Sequence, residues 1–210
     1  MDTTDAKEHW EQHYGERDRV CSGRVNVRLA EVASPLEPGR ALDLGCGEGA
    51  DACWLAERGW SVVAVDISDT ALQRATAAAE SRGLTDRIQF VQHDLSKSLP
   101  DGTFDLISVQ FLHSMIPFDR PRVLKRATAA VRPGGLLLIV DHAGPPPWAS
   151  KLDHHHHEFP SAEEVISALD LDDDWERVRV EAVERQATGP DGETRPWVDN
   201  VIVLRRRGRA

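Results

Sequence analysis

Between Ala41 and Gly49 the chain reads ALDLGCGEG, an apolar strand running into a turn with glycine at every second position. Glycine reaches positive φ without strain and lets a ligand approach the backbone without meeting a Cβ, which accounts for Gly45, Gly47 and Gly49 together. Asp43 precedes them at the strand end, and a second apolar strand, Trp60 to Val65, ends in Asp66. An acid about 20 residues beyond a glycine turn suits the two hydroxyls of a ribose. Gly45, Gly47 and Ala50 also fit the GxGxxG/A spacing of nicotinamide dinucleotide enzymes, so the turn alone leaves that rival open.

Strand and helix patterns alternate after residue 40, as expected of a parallel sheet with crossover helices. Ala50 to Arg58 predicts a helix closed by Gly59, and Asp69 to Arg82 a second one capped by Ser68 and ended by Gly83. A third covers Arg120 to Val131, with Pro121 in its first turn and Pro133-Gly134-Gly135 forcing a stop before LLLIV. Ser161 and Glu164 form a capping-box pattern that opens a helix to Leu169. Val178 to Ala187 and Trp197 to Leu204 read as an antiparallel hairpin around Gly189-Pro190-Asp191-Gly192. A dinucleotide fold would instead pass through a second mononucleotide half.

From Asp43 onward the chain resembles the class I S-adenosylmethionine-dependent methyltransferases, whose first motif is an acid followed by alternating glycines, here Asp43, Gly45, Gly47 and Gly49. The resemblance continues through Asp66 in VVAVDIS, His93 and Asp94 in FVQHDL, the strand Phe104 to Val109, and Arg132 to Gly135 in VRPGG. It spans roughly residues 38–142 and is most similar to the small tellurite-resistance and thiopurine-type branch. It implies an α/β, Rossmann-like sheet of seven strands, mostly parallel with a C-terminal antiparallel hairpin and helices on both faces. It implies S-adenosyl-L-methionine as cofactor and methyl transfer to a small-molecule acceptor, with a non-catalytic cofactor-binding protein as the alternative on the same fold.

Residues just beyond the strands of an open parallel sheet are the candidates for chemistry. Backbone groups of the turn Gly45, Cys46, Gly47 and Gly49 would receive the methionine end of the cofactor, with Asp43 holding the turn or the ammonium. Asp66, followed by Ile67, would accept the ribose hydroxyls. The resemblance puts Asp94 near the adenine amino group, with Leu95 as a wall and His93 as a lesser candidate. Gln110 and His113 follow the fourth strand and His142 the fifth. Either histidine can exchange protons near neutrality, as a general base, or serve packing. Residues 1–35 are expected to form a lid over a methyltransferase domain of residues 36–210, with Arg24 offering a planar fork to the cofactor carboxylate.

The net charge of −10 disfavours a nucleic-acid partner, because phosphate contacts need a basic surface. Arg205, Arg206, Arg207 and Arg209 read as a solvated tail after the last strand. The polar first residues and the lack of a long apolar run point to a cytoplasmic protein with no membrane segment. Three cysteines, two of them in or near the glycine turn, predict reduced thiols. The loop Ala143 to Phe159 holds His154 to His157, flanked by Asp153 and Glu158, and reads as a polar rim and not as a metal site.

Overall fold

The computed structural model describes residues 3–114, 116–149 and 159–208. Two helices come first, α1 (Thr3–Gly15) and α2 (Val27–Ala33). The alternating part follows as β1 (Arg40–Leu44), α3 (Ala50–Glu57), β2 (Ser61–Asp66), α4 (Asp69–Ser81), β3 (Ile88–Gln92), β4 (Phe104–Gln110), α5 (Arg120–Ala130) and β5 (Val131–His142). Then come α6 (Ala162–Leu169), β6 (Trp175–Thr188) and β7 (Thr194–Arg206).

The seven strands lie in the order β3-β2-β1-β4-β5-β7-β6. β1 to β5 pair in parallel, whereas β7 runs antiparallel between β5 and β6. This topology separates the two readings left open by the glycine spacing, because the dinucleotide fold continues with parallel strands in the order 3-2-1-4-5-6. The sheet is the one implied by the methyltransferase resemblance.

Alternation along the strands feeds two cores. Ala41 of β1, Leu136, Leu138 and Val140 of β5, and Val201 and Val203 of β7 pack with Leu29 of α2, Leu55 of α3 and Leu72 of α4. Leu42, Leu44, Leu137, Ile139, Ile202 and Leu204 face the other way, onto Val123 and Leu124 of α5 and Val165 and Ile166 of α6. Strands buried on both faces read as continuous apolar runs, which is why LLLIV carries no polar alternation.

The expected caps are present. The Ser68 hydroxyl accepts from the Ala71 N–H, and Ser161 with Glu164 forms a complete capping box. α5 ends one residue before the expected Val131, which already pairs with Phe104. The register then jumps to Leu106 opposite Leu136, so Pro133-Gly134-Gly135 is a bulge within β5. A Cβ on Gly135 would come within 2.9 Å of the Phe104 carbonyl oxygen, so only glycine fits that bulge.

The hairpin strands are longer than the sequence pattern shows, and this corrects the reading of the arginine cluster. Arg206 lies within β7 and donates to the Val131 carbonyl at 2.7 Å, while the Arg207 N–H donates to the Asp174 carbonyl at 2.7 Å. Arg205 and Arg206 thus belong to β7 and are not a tail after the last strand, while Arg207, just past it, is exposed; Arg209 lies outside the described residues.

Candidate active site

A cavity of about 1020 Å³ opens beyond the carboxyl ends of the parallel strands. Its floor is the turn after β1. Gly45, Gly47 and Gly49 all have positive φ, of 74°, 51° and 76°. A Cβ on Gly45 would meet the Leu112 Cδ1 at 2.7 Å, and one on Gly47 would stand 3.0 Å from the Tyr14 hydroxyl. Gly49 caps α3 and does not line the cavity; its missing Cβ makes room for Ala75, at 2.7 Å.

Asp66, at the end of β2, is tied to the turn. One carboxylate oxygen accepts from the Gly47 N–H at 2.9 Å and the other from the Ser68 N–H at 3.0 Å. Burial nevertheless pushes its pKa up. Asp43 is 2% exposed and also lines the cavity. Its Oδ2 makes no hydrogen bond among the described residues, and burial, with Asp51 and Asp66 nearby, drives its pKa well above the usual range. Asp51, in the first turn of α3, is raised by burial to about 6 although the Asn26 N–H donates to it at 2.6 Å. Burial raises the Cys46 thiol as well. A buried carboxylate without a partner is costly, so this end of the cavity fits a positively charged group.

The cavity roof comes from the N-terminal residues. Trp10, His13 and Tyr14 of α1, Val20 to Ser22, and Arg24 to Val27 line it. Arg24 is among them, exposed and facing the cavity, with its N–H bonded to the Ser22 hydroxyl at 3.2 Å. Glu48 holds this arm by accepting from the Cys21 N–H at 2.9 Å and the Val20 N–H at 3.2 Å. The Glu11 carboxylate accepts from the N–H groups of Asp69 and Thr70, at the start of α4. Leu29 and Ala33 of α2, by contrast, belong to the core beneath.

Ile67, Asp94, Leu95 and Gln110 line the cavity where the sequence put them. Asp94 Oδ1 accepts from the Ser96 N–H and hydroxyl at 3.0 and 2.6 Å, while its Oδ2 stands 3.8 Å from the Lys97 ammonium and has no hydrogen bond among the described residues. His93 is not a lining residue: its ring turns to the Ser98 carbonyl and hydroxyl at 3.0 and 3.1 Å. His113 lines the cavity, its Nε2 at 3.8 Å from Asp141, whose two oxygens both accept from Arg120 Nη2, at 2.5 and 2.6 Å. His142 stands behind the wall, its ring stacked 3.8 Å from Trp197 and 4.2 Å from Phe111, its Nδ1 3.1 Å from Asp199. Phe111 holds a left-handed φ of 51°, a strain that turns the chain out of β4 at the cavity edge.

Glu48, Asp51, Arg74 and Arg185 were not singled out from the sequence. Asp51 was within reach, as an acid just past the glycine turn, whereas Arg74 and Arg185 arrive from distant segments. His154 to His157, with Asp153 and Glu158, lie outside the described residues. Among the described residues no group of three or more His, Cys, Asp or Glu is placed to hold a metal ion. Nor is any described helix long and apolar enough to cross a membrane.

Residues 41–135 match a family model described as a methyltransferase domain. Thiocyanate methyltransferase 1 of Arabidopsis thaliana is 33% identical over 66% of this chain and 63% of its own length, so the chain spans less than two thirds of that relative. A 2-heptyl-1-hydroxyquinolin-4(1H)-one methyltransferase of Mycobacteroides abscessus is 36% identical over 72% of this chain and 69% of its own. A shorter match, 33% identical over 48% of this chain and 39% of the relative, is to a tRNA 5-carboxymethoxyuridine methyltransferase of Escherichia coli. The magnesium protoporphyrin IX methyltransferase of Synechocystis with bound S-adenosylhomocysteine shares the fold, with a TM-score of 0.71 at 18% identity, covering 98% of this chain and 100% of that one. With the glycine turn, the strand-end acids and the antiparallel β7 all in place, the chain belongs to the class I S-adenosylmethionine-dependent methyltransferases.

Proposed function

We propose that the protein methylates a small-molecule acceptor bound beside S-adenosylmethionine in that same cavity. The observation that carries this reading is the size of that cavity, about 1020 Å³. Small-molecule and cofactor pockets span about 300–1,000 Å³, so this one has room for a second molecule next to a cofactor. Phe111, Leu112, Ile116 and Phe118 give the space beyond the glycine turn an apolar wall. Two of the relatives are named for small acceptors and one for a tRNA nucleoside. A chain of net charge −10 favours the former.

The residues divide the work as follows. Asp43 and the turn from Gly45 to Gly47 hold the methionine end, the unpartnered Asp43 Oδ2 meeting its ammonium and Arg24 its carboxylate. Asp66, fixed by Gly47 and Ser68, takes the ribose hydroxyls. Asp94 Oδ2 accepts from the adenine amino group between Ile67 and Leu95. Bound S-adenosylmethionine supplies a methyl carbon on a positively charged sulfur. Such a methyl group would be open to the acceptor's lone pair, the carbon–sulfur electron pair leaving with sulfur as S-adenosylhomocysteine. The N-terminal arm excludes water and aligns the acceptor. His113 takes the proton of an acceptor that arrives protonated, and has no proton to move for an anion.

The test is release of S-adenosylhomocysteine with a panel of thiols, phenols, amines, carboxylates, and tellurium and selenium oxyanions, with a tRNA transcript alongside. Turnover with a small molecule and none with tRNA is expected. Turnover with tRNA alone would overturn the small-molecule assignment.

A further inference from the structure

Arg185 reaches the cavity from β6, far along the sheet from the strands that carry the acids. Among the described residues it is the one member of β6 that lines the cavity. It sits opposite Trp197 in the β6–β7 register, and its guanidinium carbon stands 4.8 Å from the Trp197 ring centroid and 5.8 Å from that of Phe111. Its Nε donates to Asp199 Oδ2 at 2.6 Å, and Asp199 is 1% exposed, with its other oxygen turned to His142. One edge of the guanidinium is thus fixed by a buried carboxylate and one face by stacking. The two terminal nitrogens make no hydrogen bond among the described residues, on a side chain that is 26% exposed.

An arginine needed only to neutralise Asp199 would use any of its donors, and a lysine would serve. Holding Asp199 through Nε alone leaves the Nη pair as a preset fork, the geometry that matches a planar or two-centre anion. The distribution of charge agrees. Asp43 and Asp66 sit at the ends of β1 and β2, Asp51 in the first turn of α3 and Asp94 just after β3, whereas Arg185 stands at the other end of the sheet order, beside the apolar wall of Phe111 and Leu112. Arg24 and Asp119 also line the cavity, the latter occupied as the cap of α5.

We propose that Arg185 is the acceptor anchor, binding a negatively charged group on an apolar or aromatic frame. Resting on the methyltransferase reading above, this narrows the substrate class from any small nucleophile to organic anions. Arg185 selects the acceptor through its fork, and Asp199 and the Trp197 ring position that fork.

Benzoate and benzamide, alike in shape and differing in charge, serve as probes in calorimetric titrations of the full chain with and without saturating S-adenosylhomocysteine. The wild type is expected to bind benzoate at least about tenfold more tightly than benzamide, consistent with a charge-assisted pair. Arg185→Gln should erase the preference while S-adenosylhomocysteine affinity stays within about threefold. Arg185→Lys keeps the charge beside Asp199 and should retain only a few-fold preference. Equal affinity of the wild type for both probes, no binding of either, or a preference that survives Arg185→Gln would overturn the proposal. Should Arg185→Gln fail to fold, the wild-type comparison and Arg185→Lys decide. S-adenosylhomocysteine binding is read separately: an Arg185-dependent benzoate preference without it would sink the proposed function and leave the anion site standing.

Discussion

Glu48 and Arg74 meet at 2.9 Å where the glycine turn abuts α4, and both also hold the N-terminal arm. Glu48 accepts from the Val20 and Cys21 N–H groups, and Arg74 donates to the Tyr14 and Arg17 carbonyls at 3.0 and 2.7 Å. One ion pair thus joins the cofactor turn to the cavity roof. Glu48→Ala removes the acceptor and leaves two arm N–H groups and a guanidinium short of a partner. Stability should fall by about 1.5–3 kcal/mol. Hydrogen exchange at Val20 and Cys21 should speed up well beyond the global change. Unchanged exchange there would show that the arm is held by other contacts.

Removing residues 1–24 should leave a cooperative melt, because Leu29 and Ala33 stay in the core and Asn26 still caps α2. Cofactor affinity should drop and acceptor-dependent release of S-adenosylhomocysteine should vanish, since the roof over the cavity is gone. Full turnover by the shortened chain would make the arm dispensable.

Asp66→Ala should weaken S-adenosylhomocysteine binding by about 1.5–3 kcal/mol, the range for hydrogen bonds to a charged group. Because Asp66 also receives the Gly47 and Ser68 N–H groups, part of that loss reflects a looser turn. Asp66→Asn, which retains an acceptor for one of the two, separates the contributions in the same calorimetry. Unchanged affinity in both variants would leave Asp66 as a cap alone.

Asp51 titrates at about 6 in the fold against an ordinary 3.8, chiefly through burial. The fold binds that proton more tightly than the unfolded chain. The stability it contributes is therefore complete below about pH 4 and lost as pH climbs through 6, amounting to about 2–3 kcal/mol. Asp51→Asn keeps an acceptor for the Asn26 N–H and removes the titration. Without ligand, the variant should gain in stability relative to the wild type between pH 4.5 and 7.5, read as denaturant midpoints. A pH-independent difference would place the titration elsewhere.

His142→Leu should cost about 1–3 kcal/mol, by leaving one oxygen of the buried Asp199 without its partner. Its S-adenosylhomocysteine affinity should remain within about twofold, because the ring is screened from the cavity by Phe111. A loss of affinity above tenfold would mean that the stack sets the cofactor site.

What the sequence made legible is what is local. The turn from Gly45 to Gly49, the strand-end acids Asp43 and Asp66, and the caps Ser68 and Ser161 each depend on residues a few positions apart. The cavity contacts that escaped notice depend on separations no short pattern encodes: Arg74 reaches Tyr14 across 60 positions and Glu48 across 26. His93 and His142 sit beside strand ends as expected, yet which way a side chain points there is decided by neighbours such as Ser98 and Trp197. The start of β6 was missed because Arg177 and Arg179 straddle a register shift that breaks the two-residue alternation. Arg206 reads as a tail charge until Val131 is placed beside it.

The antiparallel β7 also sets an order of assembly. It fills the slot between β5 and the edge strand β6, so β6 is joined to the sheet by the strand that emerges last of the seven. Until Thr194 to Arg206 have been made, β5 presents an unpaired apolar edge, Leu136 to Val140, of the kind that recruits other chains. A nascent chain halted after β6 would hold every acid of the cofactor end and still be prone to self-association. Translation arrest in that interval should therefore leave it more dependent on chaperones than the finished chain, in which β7 covers that edge.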